Sequence, residues 1–206
     1  MSTVITADVA AMARAIARGN VVAIPTDTVY GLACDPRDAG AVARIYEVKG
    51  RPDDLELTLL AAGAAQLHDV VRFSDASRAL TDAFWPGGLS IVLPLGGRRL
   101  AIPRRGSTLS VRVPDLAVTR ALLAATGPLA TTSANRHGQP PARSAEAAAR
   151  ALGSSVYAVL EGGPAAGTPS TIIDCTATPP RVLREGPIPS AVLFAHLETQ
   201  GLSTSA

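Results

Sequence analysis

The stretch IPTDTVYGL at residues 24–32 leaves an apolar run, VVAI at 21–24, through a proline. The run reads as a buried strand that Pro25 stops. Beyond the proline come two threonines, an aspartate and a tyrosine before Gly31. A plain turn needs fewer hydroxyls, so this exit reads either as an ordinary strand end or as the lip of a site. Asp27, next to threonine at a strand exit, is expected to brace the local backbone rather than act as a general base. Gly31 is expected to supply the turn by which the chain leaves.

The same form recurs along the chain. KGRP (49–52) follows a helical segment, STLSVR (107–112) ends in Arg112, and TTSAN (131–135) and GTPST (167–171) follow apolar runs. Arg184 stands in a sixth such segment. Hydroxyls and backbone N–H groups at strand ends can bind phosphates and carboxylates. Lysine and arginine add charge-assisted bonds to such anions. A shared anion site and a set of ordinary turns both remain open on these residues alone.

The elements between these loops alternate. Helices are expected at 6–18, with Thr6 as N-cap and Gly19 as terminator, and at 38–48, 74–85, 115–125, 144–153 and 189–197. Strands are expected at 21–24, 55–60, 89–95, 107–113, 128–135, 156–160, 170–174 and 181–185. Interleaved helices and strands without a long linker predict one α/β domain, with a twisted mixed parallel/antiparallel sheet and surrounding helices.

Composition excludes several classes. Of 206 residues, 47% are hydrophobic and 17% charged, which suits a globular domain and not a disordered chain. Three Phe, three Tyr and one Trp are too few for rows of stacked bases. The net charge of +2 announces no nucleic-acid binder, although Arg98, Arg99, Arg104 and Arg105 cluster. That cluster fits an anionic partner or a solvated face. Cys34 and Cys175 lack metal or disulfide-scaffold spacing and are expected to be buried thiols. The N-terminus has no signal-peptide pattern and no run is long enough to span a membrane, so a cytoplasmic location is expected. GxxxxGK[ST], GxGxxG after the first strand and GxSxG are all missing, and the three histidines share no zinc-like spacing.

Taken together, IPTDTVYGLACDP (24–36), IYEVKGRP (45–52), FWPGGLSIVLP (84–94), SVRVP (110–114), PLATTSAN (128–135), STIIDCT (170–176) and VLREG (182–186) resemble the YrdC/Sua5 family of threonylcarbamoyl-AMP synthases. The resemblance covers roughly residues 5–190, leaving 191–206 as a C-terminal tail, and looks like the family's short form. It implies a YrdC-like fold with a large basic cavity. It also implies that ATP, L-threonine and bicarbonate are converted to threonylcarbamoyl-AMP and pyrophosphate. Magnesium is expected with the triphosphate, with no dedicated protein metal site. A partner threonylcarbamoyl transferase complex would then modify N6 of tRNA adenosine 37, and direct tRNA contact is an open possibility.

Residue roles come from the resemblance in the same way. Lys49 and Arg51 match the family's phosphate-holding pair and are the catalytic candidates. Thr28 matches a position near threonine, with Thr26 beside it. Arg112 suits a carboxylate or phosphate. Ser133, Asn135 and Ser170 match nucleotide-side positions, and Arg184 matches an adenylate contact. Ser110 and Thr131 complete the binding set, with a structural role still open for Thr26 and Thr131. The segment after KGRP departs from the family pattern, and Asp53, Asp54 and Glu56 bring negative charge there, facing outward or assisting magnesium. Two other readings compete: a non-catalytic double-stranded RNA or tRNA binding module using the same basic cavity, and a carbamoyl-adenylate domain like those of hydrogenase-maturation proteins.

Overall fold

The computed structural model describes residues 3–50, 57–103 and 106–204. Arg51, Asp53, Asp54, Glu56, Arg104 and Arg105 therefore lie outside the described residues, and with them half of the proposed catalytic pair and half of the arginine cluster.

Among the described residues, ten strands form one sheet: β1 (Val4–Thr6), β2 (Val22–Ile24), β3 (Gly31–Cys34), β4 (Thr58–Leu60), β5 (Leu89–Pro94), β6 (Thr108–Arg112), β7 (Leu129–Ser133), β8 (Ala158–Leu160), β9 (Thr171–Asp174) and β10 (Arg181–Arg184). Their order is β1-β8-β2-β3-β7-β4-β6-β5-β9-β10. The pairs β1/β8, β2/β8, β4/β6 and β5/β9 are parallel and the others antiparallel, so the sheet is mixed as the sequence predicts. The helices are α1 (Val9–Ala17), α2 (Ala39–Lys49), α3 (Asp75–Phe84), α4 (Ala117–Thr126), α5 (Ala145–Leu152) and α6 (Ser190–Thr199).

Strand alternation sorts the side chains into two layers. Val22, Ile24, Leu60, Leu129 and Leu160 pack with Met12 and Ile16 of α1 and with Leu122 and Leu123 of α4. Ala23, Leu32, Leu59, Ile91, Val111 and Ile173 face the other way, against α2, α3, α5 and α6. Each fully buried Leu or Ile contributes about 1.5–3 kcal/mol, so these layers hold the sheet in place.

Among the described residues the first layer is incomplete, and that gap makes the site. α1 and α4 cover the part of their face near β2 and β8. Over β4, β5, β6, β7 and β9 the same face carries Thr58, Ser90, Ser110, Arg112, Thr131, Ser133 and Ile172 instead of a packed apolar row. Register sets Thr131, Thr58 and Ser110 abreast across three strands.

Several local expectations change. The N-cap of α1 is Asp8, whose carboxylate accepts from Ala11 N. Thr6 instead ends β1 and accepts from Asp8 N through its hydroxyl. β1 and β3 lie outside the strands expected from the sequence; β1 is too short to show alternation. Gly31 makes no turn: it opens β3, where a Cβ would stand 3.2 Å from Thr132 O, so its small size permits close strand approach. Asp38 and Ser144 cap α2 and α5, and Gly50 closes α2 at φ 61°, a left-handed conformation that glycine adopts freely. Beyond residue 190 the chain is no loose tail at first: Leu193 and Leu197 of α6 are fully buried, and Phe84 meets His196 edge-on at 5.5 Å. Among the described residues no helix is long and apolar enough to cross a membrane.

Candidate active site

The uncovered face holds a cavity of about 390 Å³. The opening loop supplies Thr26, Thr28 and Val29 to its wall, β7 supplies Thr131 to Ser133, and Ser170 with Arg184 closes the far side. Thr58, Ser90 and Arg112 stand on its floor.

Arg112 is 5% exposed and fully engaged on one flank. Its Nε donates to Gly87 O at 2.9 Å, Nη1 to Thr28 Oγ1 at 2.7 Å and Nη2 to Asp27 Oδ1 at 2.6 Å. A guanidinium has five N–H groups. Two therefore remain without a partner among the described residues. Asp27 Oδ1 also accepts from Asp115 N at 3.1 Å, so its carboxylate braces Arg112 and a distant segment rather than the local backbone as expected from the sequence.

The hydroxyls of the opening loop have a fixed direction. Thr26 donates to Val29 O at 2.6 Å, which uses its only hydrogen. The 3.0 Å bond between Thr26 and Thr28 must then be donated by Thr28. Thr28 in turn accepts from Arg112. The chain runs Arg112 to Thr28 to Thr26 to Val29 O, each bond polarising the next. Thr28 thus keeps a lone pair, and no hydrogen, for a ligand. Thr26 also accepts from the backbone N–H groups of Thr28 and Val29, so it shapes the loop more than it addresses the cavity.

On the opposite side, Arg184 donates through Nε and Nη2 to Ser170 O at 3.0 and 2.8 Å, and through Nη2 to Ser170 Oγ at 3.2 Å. Ser170 Oγ lies 2.9 Å from Ser90 Oγ. Partial desolvation against Ser170 lowers the Arg184 pKa below the ordinary guanidinium value, although much of the side chain is exposed. Burial also lowers that of Arg112; Asp27 opposes the effect, while the charge on Arg184 adds to it. Two guanidiniums therefore repel each other across one cavity, and an anion between them relieves both.

Lys49 reaches the site from the end of α2. Its Nζ donates to Ser133 O at 2.6 Å, Ser133 Oγ at 2.8 Å and Asn135 Oδ1 at 2.6 Å. Lys49 and Asn135 stand behind the wall and Ser133 in it. Thr131 donates to Thr58 O at 2.9 Å, and Thr58 donates to Ser110 at 3.1 Å, so Ser110 supports Thr58 rather than lining the cavity. Thr26, Thr28, Arg112, Thr131, Ser133, Ser170 and Arg184 are all brought to one surface. Thr58 and Ser90 join them without having stood out in the sequence; the available signal is a polar residue interrupting each apolar strand, in LTLL and LSIVL. Among the described residues no cluster of three or more His, Cys, Asp or Glu could hold a metal ion.

The profile of the Sua5/YciO/YrdC family, described as "Telomere recombination", matches residues 14–186. The chain belongs to this family. Among Sua5/YciO/YrdC relatives, the threonylcarbamoyl-AMP synthase of Bacillus subtilis is 38% identical over 185 residues, covering 86% of this chain and 53% of that protein. The threonylcarbamoyl-AMP synthase of Xanthomonas campestris pv. campestris (strain B100) is 40% identical over 162 residues, covering 76% and 87%. The crystal structure of Pyrococcus abyssi Sua5 complexed with L-threonine superposes with a TM-score of 0.86 at 33% identity, covering 94% of this chain and 59% of that one. The chain thus spans only part of the Bacillus and Pyrococcus proteins and most of the Xanthomonas one.

Proposed function

We propose that this chain is an L-threonylcarbamoyladenylate synthase, a nucleotidyltransferase that forms threonylcarbamoyl-AMP and pyrophosphate from L-threonine, bicarbonate and ATP. The observation that carries the reading is a pair of guanidiniums, the buried Arg112 and the more exposed Arg184, facing one hydroxyl-lined cavity.

The chemistry needs two kinds of recognition side by side. Carbamoylation of the threonine amine gives a carbamate, whose oxygen attacks the α-phosphorus of ATP while the bond to pyrophosphate breaks. The reactants are anions, so positioning and charge neutralisation supply most of the rate. In this reading the two spare N–H groups of Arg112 take the threonine carboxylate, and the Thr28 lone pair accepts from a donor on the amino acid. Arg184, Ser170 and Ser133 address the nucleotide. Lys49 holds Ser133 and Asn135 in place and offers its charge to the phosphates, together with Arg51. Ser110 and Thr131 act through Thr58.

Magnesium enters as the complex with ATP. The described cavity wall offers hydroxyls and guanidiniums, a surface that suits the phosphate oxygens rather than a bare cation. The product is a mixed anhydride, which a threonylcarbamoyl transferase complex would consume in modifying tRNA adenosine 37, in the cytoplasm.

The test is a reaction containing ATP, threonine and bicarbonate, monitored for pyrophosphate release. Release that requires both threonine and bicarbonate supports the reading. Salt-sensitive RNA binding with no such turnover would support the binding-module alternative instead.

A further inference from the structure

Asp27 forms no part of the cavity surface, yet it holds the cavity's most buried cation. Its Oδ1 accepts from Arg112 Nη2 at 2.6 Å and from Asp115 N at 3.1 Å. The second bond ties the carboxylate to the segment entering α4. That helix is itself tied to the opening loop, because Thr119 donates to Pro25 O at 2.7 Å. The carboxylate therefore has a second tether that does not involve Arg112.

We propose that Asp27 is a positioning residue: it sets the orientation of Arg112 and, through Arg112, steadies the Thr28 hydroxyl at the head of the Thr28–Thr26 chain. The inference rests on the reading that Arg112 takes the threonine carboxylate.

Three contacts at three different nitrogens fix the rotation of the Arg112 guanidinium. The Gly87 carbonyl and the Thr28 hydroxyl are neutral, and only the Asp27 contact is between opposite charges. Charge-assisted bonds are the stronger and more directional kind. Remove it, and the guanidinium keeps two neutral acceptors while Arg184 pushes from across the cavity. As Nη1 leaves Thr28, that hydroxyl gains freedom to turn its hydrogen outward. The corner then loses both its aimed N–H pair and its fixed acceptor. The nucleotide side, built on Arg184, Ser170 and Ser133, shares no hydrogen bond with Asp27.

The test uses two variants, Asp27→Ala and Asp27→Asn, and two readouts. Threonine affinity by calorimetry is expected to fall about 10- to 100-fold in Asp27→Ala, as expected for one charge-assisted bond, and ATP affinity to change less than about threefold. Asp27→Asn keeps an oxygen acceptor and is expected to fall between wild type and Asp27→Ala. The second readout is the arginine side-chain nitrogen NMR signal of Arg112, assigned with Arg112→Lys, in protein without substrate. Wild type is expected to show separate Nη resonances from a restrained guanidinium, and both variants averaged ones. Separate Nη resonances persisting in the variants, or threonine and ATP affinities falling together, would overturn the proposal. The NMR readout needs no turnover, so failure of the synthase reading shows separately, as wild-type protein that makes no threonylcarbamoyl-AMP.

Discussion

Arg112 Nη1 donates to Thr28 Oγ1 across 2.7 Å, joining the floor of the cavity to its lip. The bond leaves Thr28 as an acceptor toward the ligand. Thr28→Val keeps the shape and removes the oxygen. It strands one N–H of a buried guanidinium, at a cost of about 1–3 kcal/mol in stability. Steady-state kinetics are expected to show a threonine KM raised about tenfold or more, while Thr28→Ser stays near wild type. Equal kinetics for Val and wild type would remove Thr28 from the site.

Lys49 is 4% exposed and its ammonium bonds three acceptors on Ser133 and Asn135. Lys49→Met fills most of the volume and leaves those acceptors without their donor. Thermal melts are expected to report a loss of about 1–3 kcal/mol. Pyrophosphate release is expected to fall about 100-fold or more, by loss of a positive charge behind the wall and of its hold on Ser133. Full turnover in this variant would refute the assigned role.

Gly186 sits two residues beyond Arg184, packed on backbone. A Cβ there would fall inside contact distance of Thr171 N, Pro169 O and Ser170 C. These atoms belong to the segment that Arg184 holds. Gly186→Ala is expected to cost about 1–3 kcal/mol through overpacking, read as a lower denaturant midpoint. The ATP KM should rise with it, because Ser170 and Arg184 must shift. An unchanged midpoint would mean that this backbone gives way freely.

Burial pushes the thiols of Cys34 and Cys175 up to about 12, from 9.0. Burial does the same to the Tyr30 phenol, from 10.0 to about 12. These groups are neutral in the folded state at pH values where the unfolded chain ionises. Their contribution to stability is therefore complete below about pH 9 and is lost progressively as pH rises toward 12. Melting temperature is expected to decline through that window. Both thiols should resist alkylation at pH 8 until denaturant is added. Rapid labelling of the native protein would contradict their burial.

The loops are more legible in the sequence than the cavity they surround. Pro25 closing an apolar run marks a strand end, and Pro86-Gly87-Gly88 marks the end of the helix expected at 74–85, because proline and glycine act locally. Ser144 declares a cap for the same reason. Thr6 does not, since Asp8 competes for the same helix end and its carboxylate reaches Ala11 N. β1 and β3 escape notice because pairing with β8, and with β2 and β7, makes them strands. Which face of the sheet lacks a helix is a tertiary fact, so Thr58 and Ser90 look like incidental polar residues in the sequence. Lys49 and Arg112 are recognisable there as site residues, but their partners, Asn135 and Ser133 for one and Asp27 and Thr28 for the other, require the fold. Arg51, marked in the sequence by the same KGRP segment as Lys49, lies outside the described residues.

Mass detection of threonylcarbamoyl-AMP, in a reaction of the purified protein with ATP, threonine and bicarbonate, decides most directly whether this chain is a synthase. That product is expected, with pyrophosphate in equal amount, and neither when threonine or bicarbonate is left out. Saturating substrates with no threonylcarbamoyl-AMP, or pyrophosphate release that ignores threonine, would contradict the assignment.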